Sequence, residues 1–192
     1  GGRKRAVTIS SGKFGVVRAL DADTGKQLWS TKVGTHLNDD LTKIDGPTKV
    51  YPGSLGGVET PLATADGTVY ASVVNAPTEY QDPEETSYGF GVQLGSDDSE
   101  FVAIDAATGK VRWTTTLDGD SFGGATVSGD LVFTSTFGGE ILALRRDTGR
   151  IVWRYQAPGG INGWPAVAGD ELIVHVGTAN PPQILAFHLG KG

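Results

Sequence analysis

An eleven-residue unit occurs three times in the chain without a gap, at residues 19–29, 103–113 and 143–153. Its pattern is Ala-(Leu/Ile)-x-x-x-Thr-Gly-(Lys/Arg)-x-x-Trp. The starting alanines, Ala19, Ala103 and Ala143, stand 84 and then 40 positions apart. A spacing of about 40 residues is the length of one four-stranded propeller blade. Within the unit a short apolar run leads into a polar turn, where Thr-Gly supplies the positive φ of a tight hairpin. A second strand then leaves the turn and carries the tryptophan. Trp29, Trp113 and Trp153 recur at a fixed offset. Each is therefore expected to fill an equivalent slot between blades rather than to bind a ligand.

A second pattern precedes the tryptophan units, at 61–70 and 125–133, and occurs again at 165–174. It is a small apolar strand, a turn holding Asp and Gly, and a β-branched strand, which reads as a hairpin. The two patterns together give four strands, A to D, per blade. The expected blades are 5–31 (lacking strand A), 57–116 (with an insertion at 75–100), 123–156, and 160–189 (lacking strand D). The fold class is thus all-β. It is a partial β-propeller of four-stranded antiparallel blades, about three and a half of a seven- or eight-bladed ring. The whole of 1–192 is read as one such domain with almost no helix. The 29 glycines fit a chain of many tight turns.

Two segments exceed the basic blade, 34–54 and 75–100. The second contains Pro77, Pro83, Tyr80, Tyr88 and Phe90 and is either a surface insertion or a lid over a ligand site. The net charge of −6 argues against a nucleic-acid footprint, which is basic. No stretch of 18 apolar residues is present to span a membrane. Cysteine is absent, which excludes disulfides, thiolate metal sites and a cysteine nucleophile. Methionine is absent too, and the chain opens Gly1-Gly2-Arg3-Lys4-Arg5 without a signal-like apolar run. The expectation is a piece of a longer protein, whose remaining blades, or another copy of the chain, meet its open edges.

The repeat resembles that of the pyrroloquinoline quinone (PQQ) enzyme family, over nearly the whole chain. That superfamily includes eight-bladed quinoprotein alcohol dehydrogenases and cofactor-free propellers such as the outer-membrane assembly lipoprotein. Segment order extends the resemblance. Lys13-Phe14-Gly15-Val16-Val17-Arg18-Ala19-Leu20-Asp21 is similar to the dehydrogenase stretch Lys-Asn-Gly-Phe-Phe-Tyr-Val-Leu-Asp. Tyr51-Pro52-Gly53-Ser54-Leu55-Gly56-Gly57 resembles Trp-Pro-Gly-x-x-Gly-Gly. Phe122-Gly123-Gly124, followed by Gly129-Asp130-Leu131-Val132-Phe133, resembles Trp-Gly-Gly…Gly-Gly-Leu-Val-Phe. Gln183-Ile184-Leu185-Ala186-Phe187 resembles the closing strand of such propellers. This order implies the C-terminal half of an eight-bladed relative, in a periplasmic or extracellular setting.

The resemblance implies a PQQ cofactor, with Ca²⁺ in the parent protein, and three cofactor-contacting positions: Lys13, Glu59 and Phe122. An ammonium at Lys13 suits negative charge building on a quinone oxygen, although a solvated turn lysine has the same sequence. Glu59-Thr60 stands where the family has Asn-Trp, and a carboxylate beside an anionic cofactor is costly unless a cation intervenes. Phe122 stands where the family has Trp and loses the N–H donor. The family's catalytic Asp, Ca²⁺ ligands and vicinal disulfide lie upstream of this region, so no catalytic residue is assigned here. The implied activity is oxidation of an alcohol or sugar by a quinoprotein of which this chain is part. The alternative is a cofactor-free propeller acting as a protein-interaction scaffold or extracytoplasmic sensor. His36, His175 and His188 show no metal-ligand spacing. The pairs Gly56-Gly57, Gly123-Gly124 and Gly159-Gly160 recur once per blade and read as blade-entry turns.

Overall fold

Short β-branched and apolar runs separated by Gly-containing turns fold here into antiparallel hairpins. A computed structural model describes residues 5–81 and 98–188. Pro83, Tyr88, Phe90 and Leu189 lie outside the described residues, as do residues 1–4. The strands are β1 (Val7–Ser10), β2 (Val16–Asp21), β3 (Gln27–Lys32), β4 (Thr48–Val50), β5 (Ala63–Ala65) and β6 (Thr68–Val74). They continue with β7 (Thr78–Tyr80), β8 (Ser99–Asp105), β9 (Val111–Leu117), β10 (Thr126–Ser128) and β11 (Leu131–Ser135). The last are β12 (Glu140–Arg145), β13 (Ile151–Gln156), β14 (Ala166–Ala168), β15 (Glu171–Val176) and β16 (Gln183–His188). There is no helix among the described residues.

Four of the sheets are blades: β1-β2-β3, β5-β6-β8-β9, β10-β11-β12-β13 and β14-β15-β16. The first and last are three-stranded, and the middle two are four-stranded. The strands β5, β10 and β14 contact one another, which puts strand A of each blade at the ring's centre. The Thr126 hydroxyl donates to the Pro165 carbonyl at 2.5 Å and ties two of these inner strands. Antiparallel order sends the B–C turns and D–A connections to one end of the ring. The A–B and Thr-Gly turns lie at the other.

Three apolar clusters fill the three junctions. Val17 and Val33 of blade one meet Val69, Val102 and Ile104 of blade two. Tyr70 and Phe101 meet Val132, Leu142 and Leu144 of blade three. Ile141 and Ile161 meet Leu172 and Val174 of blade four. Each side chain of this size, fully buried, contributes about 1.5–3 kcal/mol.

The tryptophans act across these junctions. Trp29 Nε1 donates to the Ala106 carbonyl (3.0 Å), and Trp113 Nε1 to the Arg146 carbonyl (2.9 Å), each in the Thr-Gly turn of the next blade. Two strand positions on, Thr31 donates to the Gly109 carbonyl (2.6 Å) and Thr115 to the Gly149 carbonyl (2.7 Å). The glycines lie on the indole faces: a Cβ at Gly109 would stand 2.7 Å from Trp29 Cδ2, and one at Gly149 2.5 Å from Trp113 Cε3. Trp153 departs from the pattern. Tyr155 replaces the threonine, and the ring of Phe187 meets both, at 5.2 and 4.8 Å. A β-bulge falls after Ala19, Ala103 and Ala143 alike, and aims each C strand into its turn.

The two long segments are one structure. Strands β4 and β7 pair antiparallel, and Leu37 bridges to Tyr51. Asn75 Oδ1 accepts from the Thr35 amide at 2.9 Å. The start of the 75–100 insertion is therefore folded against the 34–54 connection.

Gly25 and Gly149 share the left-handed conformation, at φ 70° and 72°, but a Cβ at Gly25 meets nothing within 4 Å. Gly25→Ala is expected to cost about 1 kcal/mol, the backbone strain alone. Gly149→Ala adds a clash with the indole and is expected to cost about 3 kcal/mol or more. Urea midpoints of the two variants check this, and equal losses would contradict the lock.

In the second Thr-Gly turn, Asp105 accepts from Arg112 Nη2 (2.6 Å) and from the Thr108 amide and hydroxyl (2.9 and 2.8 Å). The Arg112 hydrogen bond, then that of Thr108, holds its carboxyl down at about 2. The folded state thus favours the charged form. Its contribution is complete above the unfolded value of about 3.9 and is lost as pH falls from about 4 towards 2. Asp105→Asn is expected to flatten that part of the stability–pH curve, read as urea midpoints across this range.

Candidate functional site at the axial end

The B–C turn of blade one presents Lys13. The turn closes with the Gly15 amide on the Gly12 carbonyl (3.0 Å), and the Val58 amide also donates to Gly12 (3.1 Å). Gly57, at φ 84°, packs so closely on the Lys13 carbonyl that any side chain there would collide with it. The entry to blade two therefore presses directly on the lysine turn. Lys13 Nζ donates to the Ser54 carbonyl at 2.7 Å and lies 3.1 Å from Glu59 Oε1. The Glu59 side chain is only 14% exposed. Its Oε1 is paired by charge, without a hydrogen bond of good geometry.

Next to Glu59, the Thr60 hydroxyl oxygen is buried without a hydrogen-bond partner. An unsatisfied buried polar atom of this kind costs about 1–3 kcal/mol and marks a place for a ligand or water. Gly124, at the entry of blade three, packs beside Thr60, with Trp164 of blade four against it. Trp164 is 52% exposed. Asp120, just before that entry, is fully buried, and its backbone carbonyl accepts from the amides of Phe122 (3.2 Å) and Phe137 (2.7 Å).

Of the three positions singled out in the sequence, Lys13 and Glu59 are in contact. Phe122 sits at the same end one blade further on, with its ring edge-on to Phe137 at 6.1 Å. Thr60, Asp120 and Trp164 were not singled out. Their signal is positional, since each lies within a few residues of a Gly-Gly entry or its blade-four counterpart.

Beneath the entries runs a set of buried hydroxyls. Ser72 Oγ donates to the Gly124 carbonyl (3.1 Å) and meets Thr134 Oγ1 (3.0 Å). Ser135 Oγ donates to the Gly163 carbonyl (3.4 Å). These bonds fix the entry loops of blades three and four on the B strands of the blades before or beside them.

His36 clamps the lysine turn from the other side. Its Nε2 lies 3.1 and 3.2 Å from the Gly15 and Val33 carbonyls, and its Nδ1 lies 2.6 Å from Asp39 Oδ2. The hydrogen bond from His36 holds the Asp39 carboxyl below its usual range, with Lys32 adding to the effect. His188 pairs with Asp170 at 3.1 Å at the opposite end of the ring, while His175 is exposed on β15. No cluster of three or more metal-ligating side chains occurs among the described residues. No helix there is long and apolar enough to cross a membrane.

Sheet order, the Trp-to-Gly contacts and the polar axial end define a propeller of the PQQ-repeat class. The family model described as outer membrane protein assembly factor BamB matches residues 13–123 and 97–189, and the chain belongs to that family. It is 29% identical over 167 residues to outer membrane protein assembly factor BamB of Yersinia pestis, covering 76% of this chain and 40% of that protein. It is 33% identical over 91 residues to methanol dehydrogenase [cytochrome c] subunit 1 of Methylobacterium organophilum, covering 47% of this chain and 13% of that protein. Among solved structures, quinohemoprotein alcohol dehydrogenase from Comamonas testosteroni matches with a TM-score of 0.71 at 20% identity. That match covers 91% of this chain and 32% of the other. The chain thus spans less than half the length of each of these relatives, and it is related both to quinoprotein dehydrogenases and to BamB.

His36→Ala removes both ring contacts and is expected to speed amide exchange at Val33, whose N–H bonds to the Gly15 carbonyl at 2.9 Å. His36→Gln, which keeps one donor, is expected to restore part of the protection. Unchanged exchange in both variants would show that the turn is held without the ring.

Proposed function

We propose that this segment carries part of the axial ligand end of a quinoprotein-type propeller, belonging to the C-terminal half of an exported oxidoreductase that acts on an alcohol or sugar. The observation that carries this reading is the gathering of Lys13, Glu59 and the unsatisfied Thr60 hydroxyl at that end. The same end bears the stretches that resemble the dehydrogenases around Lys13 and Gly56-Gly57. When bound, PQQ supplies the two-electron acceptor. The chain's own residues bind and orient: Thr60 offers a hydroxyl, Lys13 a cation, and Trp164 an exposed aromatic face. Charge sets a condition on the fit. Lys13 already faces Glu59, so an anionic quinone is accommodated together with a divalent cation that Glu59 helps to hold. No catalytic residue is assigned to this segment.

One observation favours a second reading, a cofactor-free interaction scaffold or sensor. The Lys13–Glu59 pair satisfies itself, and Phe122 lacks the donor of a Trp. The BamB relatives accord with this reading.

Titration of the full-length parent with PQQ, with and without Ca²⁺, separates the two. The oxidoreductase reading expects Ca²⁺-dependent quinone absorbance and dye-linked alcohol oxidation. Glu59→Gln and Lys13→Ala are each expected to weaken binding by about tenfold or more. Absence of binding in the parent, with Glu59→Asn equally silent, removes the oxidoreductase reading and leaves the scaffold.

A further inference from the structure

The strand registers align the four blades residue by residue and show what each blade turns towards its neighbours. On the face towards the preceding blade, one cross-strand row is Val69–Ile104 in blade two, Val132–Leu144 in blade three and Leu172–Phe187 in blade four. The next row is Ala71–Val102, Thr134–Leu142 and Val174–Leu185. Most of these residues are buried in the three junction clusters. The same rows in blade one are Thr8–Leu20 and Ser10–Arg18. Blade one therefore carries a hydroxyl where the others have Val or Leu, and an arginine where the others have Val102, Leu142 and Leu185. The guanidinium of Arg18 lies 4.5 Å from the ring centroid of Phe14, itself 46% exposed.

At the other end of the chain the face is apolar. Towards a following blade, Val17, Phe101 and Ile141 are each 0% exposed, and Ile184 is the corresponding residue of blade four. Ile184 is 76% exposed. Beside it lie Ile173 and Ala186, aligned with Tyr70–Ala103 and Phe133–Ala143. The outgoing face of blade four has the chemistry of the three covered junctions, whereas the incoming face of blade one does not.

We infer that the two end faces are mismatched, so that a second copy of this chain does not close on the first head to tail. The occupant of the blade-four face is instead a further blade of the same repeat type, with Val or Leu at the positions of Thr8 and Arg18. Head-to-tail closure would bury Arg18 opposite Ile184 with no acceptor, and an unpaired buried charge is strongly unfavourable. The three internal junctions show the alternative: every outgoing face of this kind meets Val, Leu, Ile or Phe. The inference holds under either reading of the function, because it concerns the faces of the blades and not the axial end.

The test uses the 192-residue chain and sedimentation equilibrium, with circular dichroism as a check on folding. A Thr8→Val/Arg18→Leu variant gives blade one the incoming face of the other blades. It is expected to self-associate on the order of 100-fold more tightly than the wild type. Adding Ile184→Lys is expected to abolish that gain. Arg18→Leu alone, a milder change, is expected to give part of it. Wild-type association that Ile184→Lys removes and Arg18→Leu leaves unchanged would overturn the proposal, because the apolar face would then be covered by a second natural copy. Folded variants that associate no more tightly than the wild type would overturn it as well.

Discussion

The stacking of a tryptophan on the backbone of the next blade's Thr-Gly turn is the contact on which the other features depend. It requires three things at once. The turn must hold a glycine, because Trp29 and Trp113 leave no room for a Cβ at Gly109 and Gly149. The carbonyl three residues before that glycine must face the indole N–H, as those of Ala106 and Arg146 do. The C strand must enter the turn at one fixed angle, which the β-bulge after each repeat alanine provides. Blades joined in this way contact mainly their neighbours, so stability accumulates junction by junction. The third junction shows what happens without the threonine: Tyr155 and Phe187 take over with aromatic edge contacts.

This division leaves the opposite end of the ring open to variation. None of the Trp-to-Gly contacts lies there, so the B–C turns and blade entries are held by other means. Gly57 is wedged on the Lys13 carbonyl, His36 bridges to Gly15 and Val33, and buried serines hold the Gly124 and Gly163 carbonyls. The accessory pair β4–β7 adds a further support, since Ser54, whose carbonyl accepts from Lys13, is itself fixed by the Thr78 hydroxyl on its amide at 2.8 Å. Side chains at this end are therefore positioned by backbone that the repeat does not dictate.

Much of the fold was legible because a repeat reports both period and role. A tryptophan at constant offset from Thr-Gly implies one slot used several times, and Trp29 and Trp113 occupy such slots. The exchange of Thr for Tyr155 changes a junction without changing the period, and only the packing reveals its effect. Pairing between β4 and β7 was not legible, because three-residue strands in two separate long segments carry too little alternation to signal each other. The Lys13–Glu59 contact was hidden for a different reason. The two residues belong to different blades, and their meeting depends on a B–C turn lying against the next blade's entry. The unsatisfied Thr60 hydroxyl is a property of packing, which no single residue type announces. Arg18 shows the reverse case: once the registers are known, its sequence position alone sets blade one apart from the other three.

The Lys13–Glu59 pair also bears on what the axial end can recognise. A lysine alone at this position offers a positive charge to any anion of suitable size. With Glu59 at 3.1 Å and largely buried, that attraction is largely cancelled before a ligand arrives. An anion must then compete with a carboxylate that is covalently fixed in place, and it gains little from electrostatics unless it brings a counter-cation. Desolvation sharpens the effect. Glu59 cannot simply swing into water, because Gly57 locks the chain two residues before it. Removing Lys13 from it would strand a charge in a region shielded from solvent. The pair therefore acts as a filter at the level of charge. It disfavours a simple anion, and it admits either a neutral polar group that uses the Thr60 hydroxyl or an anion and cation that enter together.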